Sequence, residues 1–493
     1  MYKSQKNKNN NWKLEIGNWK FQQKGAILIM TMTFTVVFLI IAGGLIALIN
    51  QQQRLNRIRK AKAQALHLAE AGVNYYRWHL AHDPDDYTDG TATTCNEETN
   101  PCIHDYLQGD TMGQFSLTIT PPSTGSTVVT IKSTGWVNDF EDYKRRVVAK
   151  YGLPSWARYA VVANADMRFG EGTIVHGPLH SNGGVRFDGI AYNEITSAQE
   201  SYNDPDHSGG NEFGVHTHVD PTDPLPPTTV PARLDVFAGG RSFPTPSIDF
   251  NAITVDLAML EDAADDDGLH IKKSNQEGWH IILSPNGTLD YRKVDSFEYC
   301  GSTPTGGDLD YQGNWTTDEP FPNNGIIFVS DHVWIDGSID GHRLTIVAAE
   351  DPLASGDADI WINTNLTYTN YNGTDAIGLI AQNDINIGLY SEDILRIDGA
   401  LIAQNGRVGR YHYSSSCDPI YYDRDTITVF GAIATNQRYG FKWVYGDGTK
   451  ASGYTTRNLD FDGNLTYAPP PLFPSTDTYD FISWEEVLIN ETY

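Results

Sequence analysis

The sequence predicts a mainly β fold: a long N-terminal transmembrane α-helix, a small antiparallel sheet, then a right-handed parallel β-helix (β-solenoid). Three observations predict it. Ala26 to Asn50 form an uncharged, mostly apolar run. Between 113 and 152 come three segments of alternating or β-branched residues. Beyond them, short apolar strands broken by Asn, Asp and Gly recur as a loosely repeated phrase.

About 20 apolar residues suffice for a helix to span a bilayer, and this run has 25. A cleaved secretory signal has a shorter apolar region and ends in small residues at a cleavage site, whereas this run flows into a polar helix. Both flanks are basic. Residues 1–25 hold six lysines and one glutamate, and Arg54, Arg57, Arg59, Lys60 and Lys62 follow the run. The positive-inside rule therefore leaves orientation open. Past the membrane, Leu55, Ile58, Ala65, Ala69, Val73, Tyr76 and Leu80 recur at helical spacing, with Lys62 in one gap. No proline appears between Ala26 and Pro84. A helix from Ala26 to His82 would be roughly 85 Å long at 1.5 Å per residue. Its outer half packs on its own domain, in a bundle of subunits, or both.

Lys24-Gly25, the apolar run and then "KAQALHLAEAGVNYYRWHLAHDPDDY" resemble the N-terminus of type IV pilin-like proteins, above all X-type minor pilins and pseudopilins. Ala65, Ala69, Glu70, Ala71 and Gly72 match best, and the resemblance covers about residues 20–85. It implies that 1–25 is a basic leader, that a prepilin peptidase cuts after Gly25, and that Ala26 becomes a methylated mature N-terminus. It also implies other pilin-like subunits as partners, with Met30, Leu55, Ala65, Ala69, Glu70, Val73 and Tyr76 on the assembly helix. Major pilins carry a glutamate at the fifth mature position, and here that position is Met30. A membrane-buried carboxylate is costly unless paired, so its absence is tolerable. It fits a rare or tip subunit better than a bulk one.

The formal charge of -27 conceals an asymmetry. Residues 1–62 hold 11 basic and 1 acidic residue (+10), and the remainder holds 24 basic and 61 acidic (-37). So acidic a body argues against nucleic-acid binding and suits a domain exposed outside the cell, with calcium as one candidate ion. The cysteines Cys95, Cys102, Cys300 and Cys417 allow three pairings. An even count in polar loops, behind a membrane anchor, favours disulfides over free thiols. Cys95 and Cys102 bracket a short loop, and Cys300 and Cys417 would join distant parts.

Along the body, 83–153 reads as a loop and a small pilin-like antiparallel sheet ("QFSLTIT", "STVVTIKSTGWV", "YKRRVVAKYG"). The repeated phrase then appears from Val161, Leu179, Ile326, Leu379, Leu401 and Ile433. Stacked coils give such loose repeats, because each coil buries its apolar side only against its neighbours. The solenoid is expected at 154–218 and again at 301–465, with a β-sandwich as the alternative. Between them, 219–300 reads as an insertion. It has a connector, 219–246, with seven of the 24 prolines, a helix starting near Ser247 or Asp249 and ending at Gly268, and a hairpin around Asn286-Gly287. Residues 466–493 read as a proline-rich exit and tail.

Nucleophile-elbow, HExxH, P-loop, EF-hand and GxGxxG signals are absent. The body holds many aspartates, among them Asp336, Asp340, Asp384 and Asp398, without singling out a pair. Histidine is the one cluster: His176, His180, His207, His216 and His218 fall within 176–218. His216 and His218 lie two apart and share a strand face, with Asp204, Asp206 and Asp220 nearby. Imidazole with carboxylate suits zinc or another transition metal. The reading is a non-enzymatic, membrane-anchored, surface-displayed protein of the pilus or pseudopilus kind that assembles, caps or adheres. A surface polysaccharide or a host- or neighbour-cell ligand would be its target. The alternatives are an anchored β-helix enzyme acting on polysaccharide and an envelope protein that joins no filament.

Overall fold

The computed structural model describes residues 26–96, 99–108, 110–250, 256–446 and 448–489. One helix runs Ala26–Leu80 without a break. Beyond it the chain is almost entirely β.

The first sheet is antiparallel and five-stranded, ordered Cys102–Gln108, Asp110–Thr120, Val128–Val137, Arg145–Gly152 and Asp480–Val487. The outer half of the helix covers one face. Ala69, Val73, Tyr76 and Leu80 form a core with Phe115, Leu117, Ile131 and Val147. Small residues let the backbones approach: a Cβ on Gly135 would stand 2.3 Å from the Ala65 carbonyl oxygen and 2.4 Å from the Ala69 nitrogen. The fifth strand differs from the expected tail. Asp480 pairs with Gly152 and Val487 with Arg146. Prolines upstream mask this strand in the sequence, and its partner lies more than 300 residues away. Everything between 153 and 479 is therefore inserted between two neighbouring strands of this sheet.

The inserted body is built on a 22-stranded sheet, most of whose pairings are parallel. One ladder shows its logic. Ile327 pairs in turn with Ile346, Leu379, Leu401, Ile433, Val161, Leu179 and Ile195, each beside the next. All eight side chains belong to one continuous core. The outward neighbours Phe328, Val347, Ile380, Ile402 and Ala434 form a second cluster, which Leu257 and Leu260 of the helix Leu257–Asp267 join beside Ile326–Val329 and which Trp156 and Ala157 also join. Residues buried on both faces explain why these strands read as unbroken apolar runs rather than alternating ones. The repeats at Leu379 and Leu401 sit in the same register, Ala381 beside Ala403, and Ala403 pairs with Thr435.

Stacking order departs from chain order. The chain enters mid-stack at Val161–Ala163, runs to Arg241–Ser242, crosses over, and restarts at Leu269–Ile271. It then winds back until Ile433–Thr435 lies beside Val161–Ala163. The segment 219–300 is thus only partly an insertion. Leu269–Ile271 and Gly278–Ser284 are themselves rungs, parallel to Ile327–Val329 and Val333–Gly337. The hairpin forms as read, Gly278–Ser284 with Thr288–Ser296. The described helix is capped by Asp256, whose carboxylate accepts from the amides of Ala258 and Met259. Residues 251–255, into which the expected start extends, lie outside the described residues. Cys95 is bonded to Cys102 and Cys300 to Cys417.

Candidate functional site

Two features have the chemistry for a functional role. The first is the inner half of the helix. Nearly all its large apolar side chains are exposed: Phe34 63%, Phe38 69%, Ile40 68% and Met30 59%. No described part of the chain covers them. Leu55 is also exposed, whereas Ala65, Ala69, Val73 and Tyr76 are fully or almost fully buried on the sheet. Glu70 is half-buried and faces His67 at 3.1 Å. The residues read as one assembly stripe thus divide between a bare surface and the protein's own core. Gly25 lies outside the described residues, and Ala26 is the first residue of the helix.

The second feature is a histidine–carboxylate cluster at one end of the parallel stack. Val215–His216 is the last rung of a three-strand ladder, after Met167–Phe169 and Val185–Phe187. His216 is fully buried, His218 is partly buried and His207 is exposed. The rings of His216 and His218 are 5.0 Å apart, although the strand ends at His216 and His218 lies just beyond it rather than on the same strand face. The loop before them brings in His207, whose ring lies 4.5 Å from that of His218. Two acids complete the group. Glu212 Oε1 is 3.3 Å from His207 Nδ1 and 3.4 Å from His218 Nε2. Asp204 Oδ2 is 3.6 Å from His216 Nε2. Burial, with Arg186 and His216 beside it, pushes the His218 imidazole down and favours the neutral, ligating form. Burial alone would raise the Asp204 carboxyl, but His216, the Asp206 amide and Arg186 together hold it well below the usual carboxylate range.

The other two histidines do not join. His176 is bound to Asp460 at 2.8 Å and stacks on Tyr192. His180 is buried between Thr196 at 2.8 Å and Asn182 at 3.2 Å, and burial pushes its pKa down. Glu212 escaped the sequence reading, although its signal was present: Glu212, Gly214, His216 and His218 occupy alternate positions.

The aspartates named in the sequence analysis join neighbouring segments of the parallel sheet. Asp384 accepts from the Arg407 amide at 2.7 Å, and Asp398 from the Tyr368 amide and the Tyr371 hydroxyl. Asp340 accepts from Asn370. Asp336 accepts from His280 at 2.8 Å, beside a cleft of about 170 Å³ lined also by Asp308, Trp334, Trp361 and Tyr390. Trp334 and Trp361 are buried, stacked side by side at 6.4 Å beneath Phe297.

No family model matches the chain, and no curated protein matches it. Among solved structures it is similar to the competence-associated pilin ComZ from Thermus thermophilus, at 14% identity and a TM-score of 0.30, over 87% of this chain and 97% of that one.

Proposed function

We propose that the chain is a membrane-anchored, surface-displayed subunit of the type IV pilus or pseudopilus kind. The observation that supports this reading best is the division of its helix. The apolar inner half is bare, and the outer half is sealed onto an antiparallel sheet. A bare apolar half of this length needs a bilayer, or the helices of neighbouring subunits, to cover it. We read the stacked ladders as one right-handed parallel β-helix carried between two strands of a pilin-type head. Two covalent links, at 153 and 479, then hold the body and give a stiffer mount than a single linker. Such a mount suits capping a filament or presenting an adhesive surface to a polysaccharide or a cell. Met30 in place of a glutamate favours a rare or tip subunit.

Processing after Gly25 is the test. The full chain is expressed with a cognate prepilin peptidase, and the mature N-terminus is read by mass spectrometry. A start at Ala26 supports assembly through the helix. An intact Met1, or cleavage elsewhere, would reduce the helix to an ordinary anchor. The enzymatic alternative has a candidate place in the cleft beside His280 and Asp336. Those two side chains hydrogen-bond each other, and His280 also binds the Tyr311 hydroxyl at 2.8 Å. A polysaccharide depolymerisation assay, with Asp336→Asn as the control, would decide for or against it.

A further inference from the structure

The cluster around His218 poses a physical problem as it stands. His216 is fully buried, and neither ring nitrogen makes a hydrogen bond. Asp204 Oδ2 and Glu212 Oε2 are also buried without a hydrogen-bond partner. A neutral imidazole always carries one N–H donor and one acceptor, and leaving such groups buried and unsatisfied is destabilising. His216 Nε2 and Asp204 Oδ2 face each other at 3.6 Å, with Arg186 Nη1 also 3.6 Å from Asp204, which leaves His216 Nδ1 and Glu212 Oε2 as the exceptions to the rule that buried polar groups are paired.

The spacing supplies the answer. Two ligands bonded to zinc at ~2.0–2.1 Å, at a tetrahedral angle, stand ~3.3 Å from each other. Glu212 Oε1 lies 3.3 Å from His207 Nδ1 and 3.4 Å from His218 Nε2. Ligand atoms of Asp204, His216 and His218 form a second group, all within 4.8 Å of one another, sharing His218 with the first. The donor set is imidazole-rich with carboxylates. That favours zinc-class transition ions over calcium, which takes 6–8 oxygen ligands.

We propose that His207, Glu212 and His218 bind a zinc-class divalent cation, with His216 packed against His218 and Asp204 behind His216 as the supporting carboxylate. Outer-shell histidines and carboxylates that fix the ligating rings are the usual supporting arrangement at such sites. The position suggests the purpose. Val215–His216 is the last rung of its ladder among the described residues, and a stack of coils needs its ends closed. The cation fastens the 203–214 loop over that rung. The proposal is independent of whether the helix enters a membrane or a filament.

The test uses the full chain, purified in detergent, stripped with a chelator and titrated with zinc, then with calcium, by calorimetry. Cobalt(II) substitution reports geometry through its visible absorption. One zinc per chain is expected, with tetrahedral cobalt bands. His218→Ala should abolish binding, Glu212→Gln should weaken it strongly, and Asp204→Asn should weaken it ~10–100-fold. His176→Ala, outside the cluster, should bind as the unmodified chain does. Circular dichroism and intact disulfides check that each variant folds. The proposal is overturned if the unmodified chain binds zinc no better than folded His218→Ala, if His176→Ala loses binding equally, or if calcium is preferred.

Discussion

The five-stranded antiparallel sheet and the parallel ladders bury apolar strands by opposite means. The first needs an outside cover, which the helix supplies, and its strands alternate: Val128–Val137 begins with buried residues at every second position. The second supplies its own cover, because each rung is hidden by the next, and Ala376–Ala381 is buried at all six positions. The antiparallel sheet depends on one docking event, whereas the body depends on many near-equivalent ones. A single change at the helix–sheet contact should therefore damage the head in one step. The body should yield only when its long-range closure is cut.

Cutting that closure gives the largest expected effect. Cys300 and Cys417 are separated by 117 residues, Cys95 and Cys102 by 7. On a chain-entropy account the long bridge is worth ~5 kcal/mol and the short one ~2.5 kcal/mol. Cys300→Ser with Cys417→Ser should lower the unfolding free energy of the body, read as urea midpoint times slope, about twice as far as the corresponding Cys95 and Cys102 pair lowers that of the head. Equal losses would mean that the two regions unfold as one unit and that the contrast between them is only geometric.

Next comes the docking contact. In Gly135→Leu the new side chain starts where the Ala65 carbonyl and Ala69 amide already stand, and overpacking of this kind costs about 3 kcal/mol. The helix should lift off the head, exposing Tyr76, while the ladders keep their transition. Protease digestion of the detergent-solubilised chain should then cut the 83–112 segment faster, with the body fragment intact. A body that also becomes labile would show that the inserted stack relies on the head for its closure.

The same contrast explains what was legible in the sequence. The helix and the strands within 113–152 were readable because each carries its own period, 3.6 or 2, over a continuous stretch. Repeated phrases revealed rungs such as Leu379 and Leu401. Nothing local could reveal that Val161 stacks on Ile433 or that Asp480–Val487 closes the head, because those facts lie in pairings across hundreds of residues. Leu269–Ile271 and Gly278–Ser284 were placed outside the stack because proline-rich chain precedes them. In the histidine cluster, sequence proximity brought His207, His216 and His218 together correctly. It also drew in His176 and His180, whose rungs face other ladders. Glu212 belonged by its alternate spacing, which adjacency alone does not weigh.

A smaller effect tests the acids that stitch the rungs. Burial pushes the Asp359 carboxyl up from 3.8 to about 6, against the pull of the Asp384 amide and His332. Between those values the folded chain holds a proton that the unfolded chain has released. Stability should therefore fall as pH rises from about 4 to about 6 and level off above. The gap bounds the change at about 3 kcal/mol. Asp359→Asn should flatten this slope in urea titrations across that window. An unchanged slope would place the proton on another group.

The smallest expected effect concerns the one place where the body borrows the head's solution. Helix Leu257–Asp267 lies on the outer face of the first ladder beside Ile326–Val329, with Leu257, Leu260 and Ala264 in one cluster with Phe328, Val347 and Ile380. It is a cover laid on a sheet that already covers itself. Asp256 begins this helix by accepting from Ala258 and Met259 at 3.1 and 3.2 Å. Loss of such a cap costs about 1 kcal/mol. Asp256→Ala should therefore loosen the helix locally, seen as faster amide exchange over 257–267, while exchange in Ile326–Val329 beneath it stays slow. If the rungs under the helix exchange faster too, their outer face depends on a cover as the head does, and self-covering stops at the inner row of Ile327, Ile346 and Leu379.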